Sequence, residues 1–210
     1  MFSCIPDMLG DQPSWPAQKA AALFRKENVT NILELGAGQG RDTLFLAQAG
    51  FQVSALDYSS AGLEAVAAGA RRLDLSRVVN TVPHDVRLAL PFPDGSFDAC
   101  YSHMLFCMAL TTPQLESLSG EIRRVLRPGG LCVYTVRHKG DPHFGMGVHR
   151  GEDLYEHNGF IVHFFDKEQV HRLAAGWQVL AIEEFDEGSL PRRLFCVALR
   201  KRANIVKSEP

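Results

Sequence analysis

The residues Asn31-Ile32-Leu33-Glu34-Leu35-Gly36-Ala37-Gly38-Gln39-Gly40-Arg41-Asp42 read as a strand, a tight loop and the start of a helix. Ile32, Leu33 and Leu35, with Val29 just before them, make the short apolar run that a strand covered on both faces requires. Gly36, Gly38 and Gly40 follow at alternate positions. A loop with so few β-carbons turns tightly and lets a ligand approach its backbone. Leu44, Leu46 and Ala47 then predict a helix with one buried stripe. The N–H groups of the loop and of that helix's first turn predict an anionic or carbonyl-bearing ligand above them.

Spacing separates the two common readings of such a loop. A dinucleotide-binding loop has the form G-x-G-x-x-G/A, and its third small residue packs helix on strand. Here that position is Arg41. The pattern present is Glu34-x-Gly36-x-Gly38-x-Gly40, which resembles the first motif of class I S-adenosyl-L-methionine (SAM) dependent methyltransferases. The resemblance implies an α/β, Rossmann-like fold. In it a seven-stranded, mostly parallel sheet carries helices on both faces and closes with a C-terminal antiparallel hairpin. It also implies a SAM site at the C-terminal ends of the strands, with Glu34, Gly36, Ala37, Gly38 and Gly40 among its residues.

Further along, Phe51 to Asp57 reads as a second strand ending on an acid. An acid about 20 residues after the glycine loop accepts hydrogen bonds from a ribose diol, and SAM carries one. The alternative role for Asp57 is to cap the helix predicted over 59–72. The resemblance adds its neighbour Tyr58 to the cofactor set. After a third strand, Val78 to Val82, comes Pro83-His84-Asp85-Val86. In the family an Asp at this place faces the adenine amino group, which suits an acceptor-only carboxylate. Asp85 takes that role by resemblance, with the Val86 backbone at the adenine ring.

Leu90 to Asp98 resembles the family's approach to strand four, and Ala99 to His103 is that strand and its end. Ligands of open α/β sheets sit outside such ends. Ser102 is therefore expected against the cofactor, and His103 and Met104 against the substrate. The turn Leu126-Arg127-Pro128-Gly129-Gly130 is a second family marker and leads into strand five, Leu131 to Val136. The stretch 137–165 then breaks the alternation as a long His-, Gly- and aromatic-rich segment. Such segments inside compact domains are functional or disordered. Residues 138–165 are read as a substrate lid, with His149 and Tyr155 on the substrate. Asp166 caps a helix, and two last strands, Trp177 to Glu184 and Arg192 to Arg200, make the closing hairpin. The connection holds Gly188 and Pro191. The ending resembles tellurite-resistance-type small-molecule methyltransferases. The whole of 1–210 reads as one domain with a loose tail over 203–210.

Composition narrows the partners. A net charge of -2 gives no basic face for nucleic acid. The Asn/Asp-Pro-Pro-aromatic tetrad of adenine methyltransferases is replaced by Ser102-His103-Met104-Leu105. The expected partner is a small molecule, with neither nucleic acid nor membrane. The first twelve residues hold no apolar core for a signal peptide, so the expected compartment is the cytoplasm. Five scattered cysteines, Cys4, Cys100, Cys107, Cys132 and Cys196, predict free thiols. No ligand spacing among the histidines predicts a metal site.

The predicted chemistry is in-line methyl transfer from SAM to a small-molecule acceptor, with the protein positioning the nucleophile. His103 is the candidate base; its alternative is a hydrogen-bonded wall. Two rival functions are a non-catalytic SAM-binding partner and an NAD-dependent oxidoreductase, the latter weakened by Arg41. Oligomeric state is not encoded in any motif here.

Overall fold

The computed structural model describes residues 12–188 and 192–202. The first helix, α1 (Trp15–Lys26), starts at Ser14, whose hydroxyl accepts the Ala17 N–H, and it tolerates Pro16 in its first turn. It is followed by β1 (Asn31–Leu35), α2 (Arg41–Gln48), β2 (Gln52–Asp57), α3 (Ser60–Arg72), β3 (Val79–Pro83), β4 (Phe97–Ser102), α4 (Thr112–Val125) and β5 (Leu126–His138). Three short strands, β6 (Val148–His149), β7 (Leu154–His157) and β8 (Phe160–Phe165), precede α5 (Lys167–Leu173), β9 (Trp177–Glu187) and β10 (Arg192–Lys201).

The main sheet runs β3-β2-β1-β4-β5-β10-β9. β10 is antiparallel to both its neighbours, while the pairs among β3, β2, β1, β4 and β5 are parallel. This is the expected seven-stranded sheet with its C-terminal hairpin. Strand alternation explains why both faces are apolar. Leu33, Leu35 and Cys100 face α4 and α5, together with Leu118, Ile122 and Val170. Ile32, Ala99 and Tyr101 face α1 and α2, together with Phe24 and Leu46. β9 forms one edge, and its Glu183, Glu184 and Asp186 keep that edge charged.

Among the described residues three further strands extend these seven to ten, because the segment read as an irregular stretch is a β-meander. β6, β7 and β8 pair antiparallel in turn, and β8 joins β5 in parallel at Arg137↔Phe164 and His138↔Phe165. The β7–β8 turn is Asn158-Gly159, both at positive φ, between His157 and Phe160. Asn-Gly in a two-residue loop is a strong hairpin signal, and it went unread in the sequence. Strand five also begins earlier than expected, taking in Leu126 to Gly130. The tail over 203–210, Pro191, Cys4 and the first eleven residues lie outside the described residues.

Candidate functional site

The glycine loop has the geometry its composition predicts. Gly36, Gly38 and Gly40 all have positive φ, at 75°, 55° and 90°, which β-carbons would resist. A β-carbon at Gly38 would meet no atom within 4 Å, so that part of the loop has an open face. The loop's donors, however, are turned inward. The Gly36 and Ala37 N–H groups donate to Leu56 O, at 2.8 and 3.2 Å, and the Gly40 N–H donates to Ala37 O. The Gly38 N–H donates to Asp57 Oδ2 at 2.8 Å. The expectation that these four N–H groups point at an anion is therefore corrected: they tie β1 to β2 and close the loop on itself.

Asp57 ends β2 and is 8% exposed. Its second oxygen accepts the Ser59 N–H at 2.8 Å, while Ser59 itself caps α3 through Gly62. A carboxylate offers about four acceptor positions, so Asp57 keeps capacity for a diol after bracing the loop. Tyr58 beside it is exposed. Asp85 is gripped by Arg87, whose Nε lies 2.9 Å from both of its oxygens, and this pairing lowers the Asp85 pKa. Val86 is half-buried next to it.

Glu34 lies under the loop and is 3% exposed. Its carboxyl accepts the Thr43 hydroxyl at 2.5 Å. Burial pushes its pKa to about 8, with a smaller counter-effect from Thr43. Being covered, Glu34 braces the first turn of α2 from below. Ser102 is likewise inside, with its hydroxyl donating to Leu35 O at 3.0 Å. The expectation that the Ser102 side chain lines an open pocket is corrected to a tie between β4 and β1.

Sequence reasoning missed the neighbouring polar network. Asp42 is buried, and it accepts the Ser14 N–H at 2.9 Å, the Ser14 hydroxyl at 2.7 Å and the Tyr101 hydroxyl at 2.9 Å. Arg41 Nε donates to it at 3.1 Å. Burial would raise the Asp42 pKa, but Arg41 and Ser14 hold it below the usual carboxylate range. The available signal was an acid in an apolar helix face, between Arg41 and Thr43.

His103 continues the parity of Tyr101. Its Nδ1 lies 3.0 Å from Thr135 Oγ1, and its Nε2 lies 3.3 Å from Glu187 Oε2. Met104 follows at φ 65°, and its N–H donates to the same Thr135 oxygen at 2.9 Å. Both ring nitrogens of the candidate base thus face protein groups.

His149 and Tyr155, expected on the substrate, belong to the meander, with their rings 5.0 Å apart. Tyr155 packs with Phe144 and Phe164, and exposed His149 bonds Glu152 O at 2.7 Å. The meander's root is fixed. Arg137 grips buried Asp141 at 2.9 and 2.6 Å, and Asp141 also accepts the His143 and Arg193 N–H groups. Residues 145–151 beyond this root are exposed.

Among the described residues no group of three or more His, Cys, Asp or Glu is arranged to hold a metal ion. Among them also, no helix is long and apolar enough to cross a membrane. Cys100, Cys107, Cys132 and Cys196 are free and buried. A cleft of about 290 Å³ opens at the opposite end of the sheet, lined by Asn31, Gln52 and Val79 at the strands' N-terminal ends. It is remote from the glycine loop.

Residues 32–130 match the family model described as a methyltransferase domain. Demethylmenaquinone methyltransferase of Clavibacter sepedonicus is 38% identical over 127 residues, covering 59% of this chain and 46% of that protein. The chain spans less than half the length of the sequence relatives it matches. One similar structure is the 1,6-didemethyltoxoflavin-N1-methyltransferase of Burkholderia thailandensis, solved with 1,6-didemethyltoxoflavin and S-adenosylhomocysteine. It has TM-score 0.71 at 18% identity, over 90% of this chain and 79% of that one. TehB from Haemophilus influenzae gives 0.69 at 16%, over 88% and 62%.

Proposed function

We propose, for a chain whose residues 32–130 match a methyltransferase-domain family model, that the whole protein is a class I SAM-dependent methyltransferase acting on a small-molecule acceptor. The observation that carries this reading is the pairing of a positive-φ glycine loop, open at Gly38, with Asp57. The loop is braced through Gly38, and the carboxylate retains acceptor capacity at the strand's end. Asp57 is the ribose partner in this reading, with Asp85 and Val86 on the adenine side and Glu34 supporting the loop from beneath.

When bound, SAM supplies a sulfonium-activated methyl group. The chain's own residues then have to bind, align and exclude water. The meander is the element we assign to covering the acceptor: its tip is exposed, while its root is clamped by Asp141. The small-molecule character of the partner is supported by the net charge of -2 and by the 1,6-didemethyltoxoflavin bound in the Burkholderia structure. A cytoplasmic site of action is consistent with four free cysteines.

Calorimetry with SAM, S-adenosylhomocysteine and NAD tests the first half of this reading. Micromolar binding of the two adenosyl ligands is expected, with NAD much weaker. Label transfer from methyl-labelled SAM to a panel of amines, phenols and thiols tests the second half. Tight SAM binding without transfer to any acceptor class would favour a non-catalytic SAM-binding protein. Absence of SAM binding would refute the assignment altogether.

A further inference from the structure

We propose that Glu187, held by His103 and Thr135, is the group that takes the proton of an N–H or O–H acceptor. This assignment rests on the methyltransferase reading above. It moves the base from His103 to its neighbour, and the geometry points there.

His103 Nε2 and Glu187 Oε2 are both buried, and neither has a hydrogen bond to any other group. They face each other across 3.3 Å. On the far side of the ring, Thr135 Oγ1 already accepts the Met104 N–H at 2.9 Å. Thr135 is fully buried, so its own hydroxyl proton needs an acceptor, and His103 Nδ1 stands 3.0 Å away. That bond uses the Nδ1 lone pair. The neutral ring then carries its proton on Nε2, directed at Glu187. A ring so placed has no lone pair for an acceptor's proton, whereas the carboxylate has lone pairs to spare.

The position suits the role. His103 lies just past the C-terminal end of β4, the rim where ligands of open α/β sheets bind. Glu187 ends β9 and reaches this rim over the end of β5. Three groups face its carboxylate: His103 from β4, Arg41 from the start of α2 beside the glycine loop, and Arg192 from β10. His103 in turn faces Thr135, Glu187 and the charge of Asp42. Burial would raise the Glu187 pKa, but His103, then Arg41 and Arg192, hold it below the usual carboxylate range. Two residues earlier on the same face of β9, Phe185 packs against half-exposed Trp15 at 4.8 Å. A flat acceptor thus has an aromatic surface next to the carboxylate.

In the proposed step the acceptor's X–H bond breaks and its proton forms an O–H bond on Glu187. A lone pair on X bonds the methyl carbon, the C–S pair returns to the sulfonium sulfur, and the pair of the broken X–H bond stays on X; an amine attacks with the lone pair it already carries and gives Glu187 the proton of the ammonium so formed. The proton later leaves Glu187 to water, restoring the carboxylate. Thr135 and His103 act here as positioning residues.

The first test needs no acceptor. Carbon-13 NMR follows the Glu187 carboxyl in the wild type and in His103→Phe, and nitrogen-15 NMR reads the His103 tautomer. The expected result is the Nε2–H tautomer in the wild type. In His103→Phe the Glu187 pKa should rise by about one unit or more, since burial stays and the donor is gone. Identical titration in both proteins, or a ring protonated on Nδ1, would overturn the dyad.

The second test measures release of S-adenosylhomocysteine from SAM with benzylamine, phenol and a thiol as acceptors. Glu187→Gln should lower kcat about a hundredfold or more at pH 7, with melting temperature and KM for SAM unchanged. With phenol the loss should shrink as pH rises, because the acceptor then arrives ionised. Unchanged kcat in a folded Glu187→Gln protein would overturn the assignment. If that variant does not fold, Thr135→Val serves instead: it should lose the Nε2–H preference and most of kcat, and retention of both would overturn it. Failure of SAM itself to bind defeats the methyltransferase reading, while the titrations still decide the dyad on the protein alone.

Discussion

Gly62 in α3 lies against the carbonyl oxygen of Gly38 in the glycine loop, so close that a β-carbon on Gly62 would stand 2.6 Å from it. A dinucleotide loop brings helix and strand together through its own third small residue. Here Arg41 occupies that position, and the close approach is made by a glycine on the following helix.

Gly62→Ala therefore sets two effects against each other. In an unconstrained helix the change would stabilise by about 1 kcal/mol. Here the contact is with backbone, so α3 or the loop has to shift. We expect no gain in stability and at least about a tenfold loss in SAM affinity, equivalent to about 1.4 kcal/mol. Urea unfolding and calorimetry on the same preparation check both halves.

Asp57→Ala removes the acceptor for Gly38 and Ser59 as well as the proposed ribose partner. Hydrogen bonds to a charged group are worth about 1.5–3 kcal/mol, so SAM affinity should fall roughly ten- to a hundredfold. Unchanged affinity by calorimetry would remove Asp57 from the site.

Glu34 makes stability depend on pH in an unusual direction. Its folded pKa of about 8 lies above the ordinary 4.5, so the folded protein keeps a proton that the unfolded chain releases. By linkage this group lowers stability as pH rises from about 4.5 towards 8, by up to about 1.4 kcal/mol per unit, and adds no slope above that. Glu34→Gln should flatten the stability profile between pH 5.5 and 8.5. Asp42, with a lowered pKa, has the opposite sign, and its contribution is lost only below the usual carboxylate range. Urea titrations at a series of pH values measure the difference.

Asp42→Ala should be the most damaging of these changes. It takes a buried carboxylate from Arg41 and leaves two Ser14 donors and the Tyr101 hydroxyl without that acceptor. Breaking a buried charge pair from one side costs about 3–5 kcal/mol. Tyr101→Phe, which removes one donor and no charge, should cost about 1 kcal/mol. Comparable losses in the two variants would mean that Asp42 does not act as the common acceptor.

The meander gives a prediction about function. Replacing 145–151 by a short Gly-Ser linker keeps Asp141, Phe144 and the β7–β8 hairpin, and removes exposed chain together with the β6–β7 pairing. If the tip covers the acceptor, methyl transfer should drop at least about tenfold while SAM affinity and melting temperature hold. Native turnover in the trimmed protein would rule out a covering role.

The parts of this molecule legible in the sequence are those encoded by neighbours in the chain. Apolar runs placed β1 and β2, the family resemblance placed β4, and alternate glycines placed the loop with its positive φ values. Asp166 announced its helix as a cap. The parts missed depend on distant partners. Asp42 has its partners far off in the chain, and only the packing of α1 and β4 brings Ser14 and Tyr101 onto it. Ser102 sat at the expected strand end, but its hydroxyl found Leu35 O inside the sheet. Glu187 carried no local signal, because its partner His103 lies on the other side of β5. The meander was different: Asn158-Gly159 was a readable turn, obscured by the surrounding histidines and glycines.

The order of strands has a consequence for how the chain matures. β10 is wedged between β5 and β9, yet it comes after both in the sequence. While the polypeptide is being made, β5 exposes a long bare row of amide and carbonyl groups from Leu131 to Arg137. That row finds its partner only when Leu194 to Arg200 has emerged. Until then the nascent chain offers an unguarded β edge to any extended neighbour. A chaperone that shields strand edges during synthesis would act on this seam.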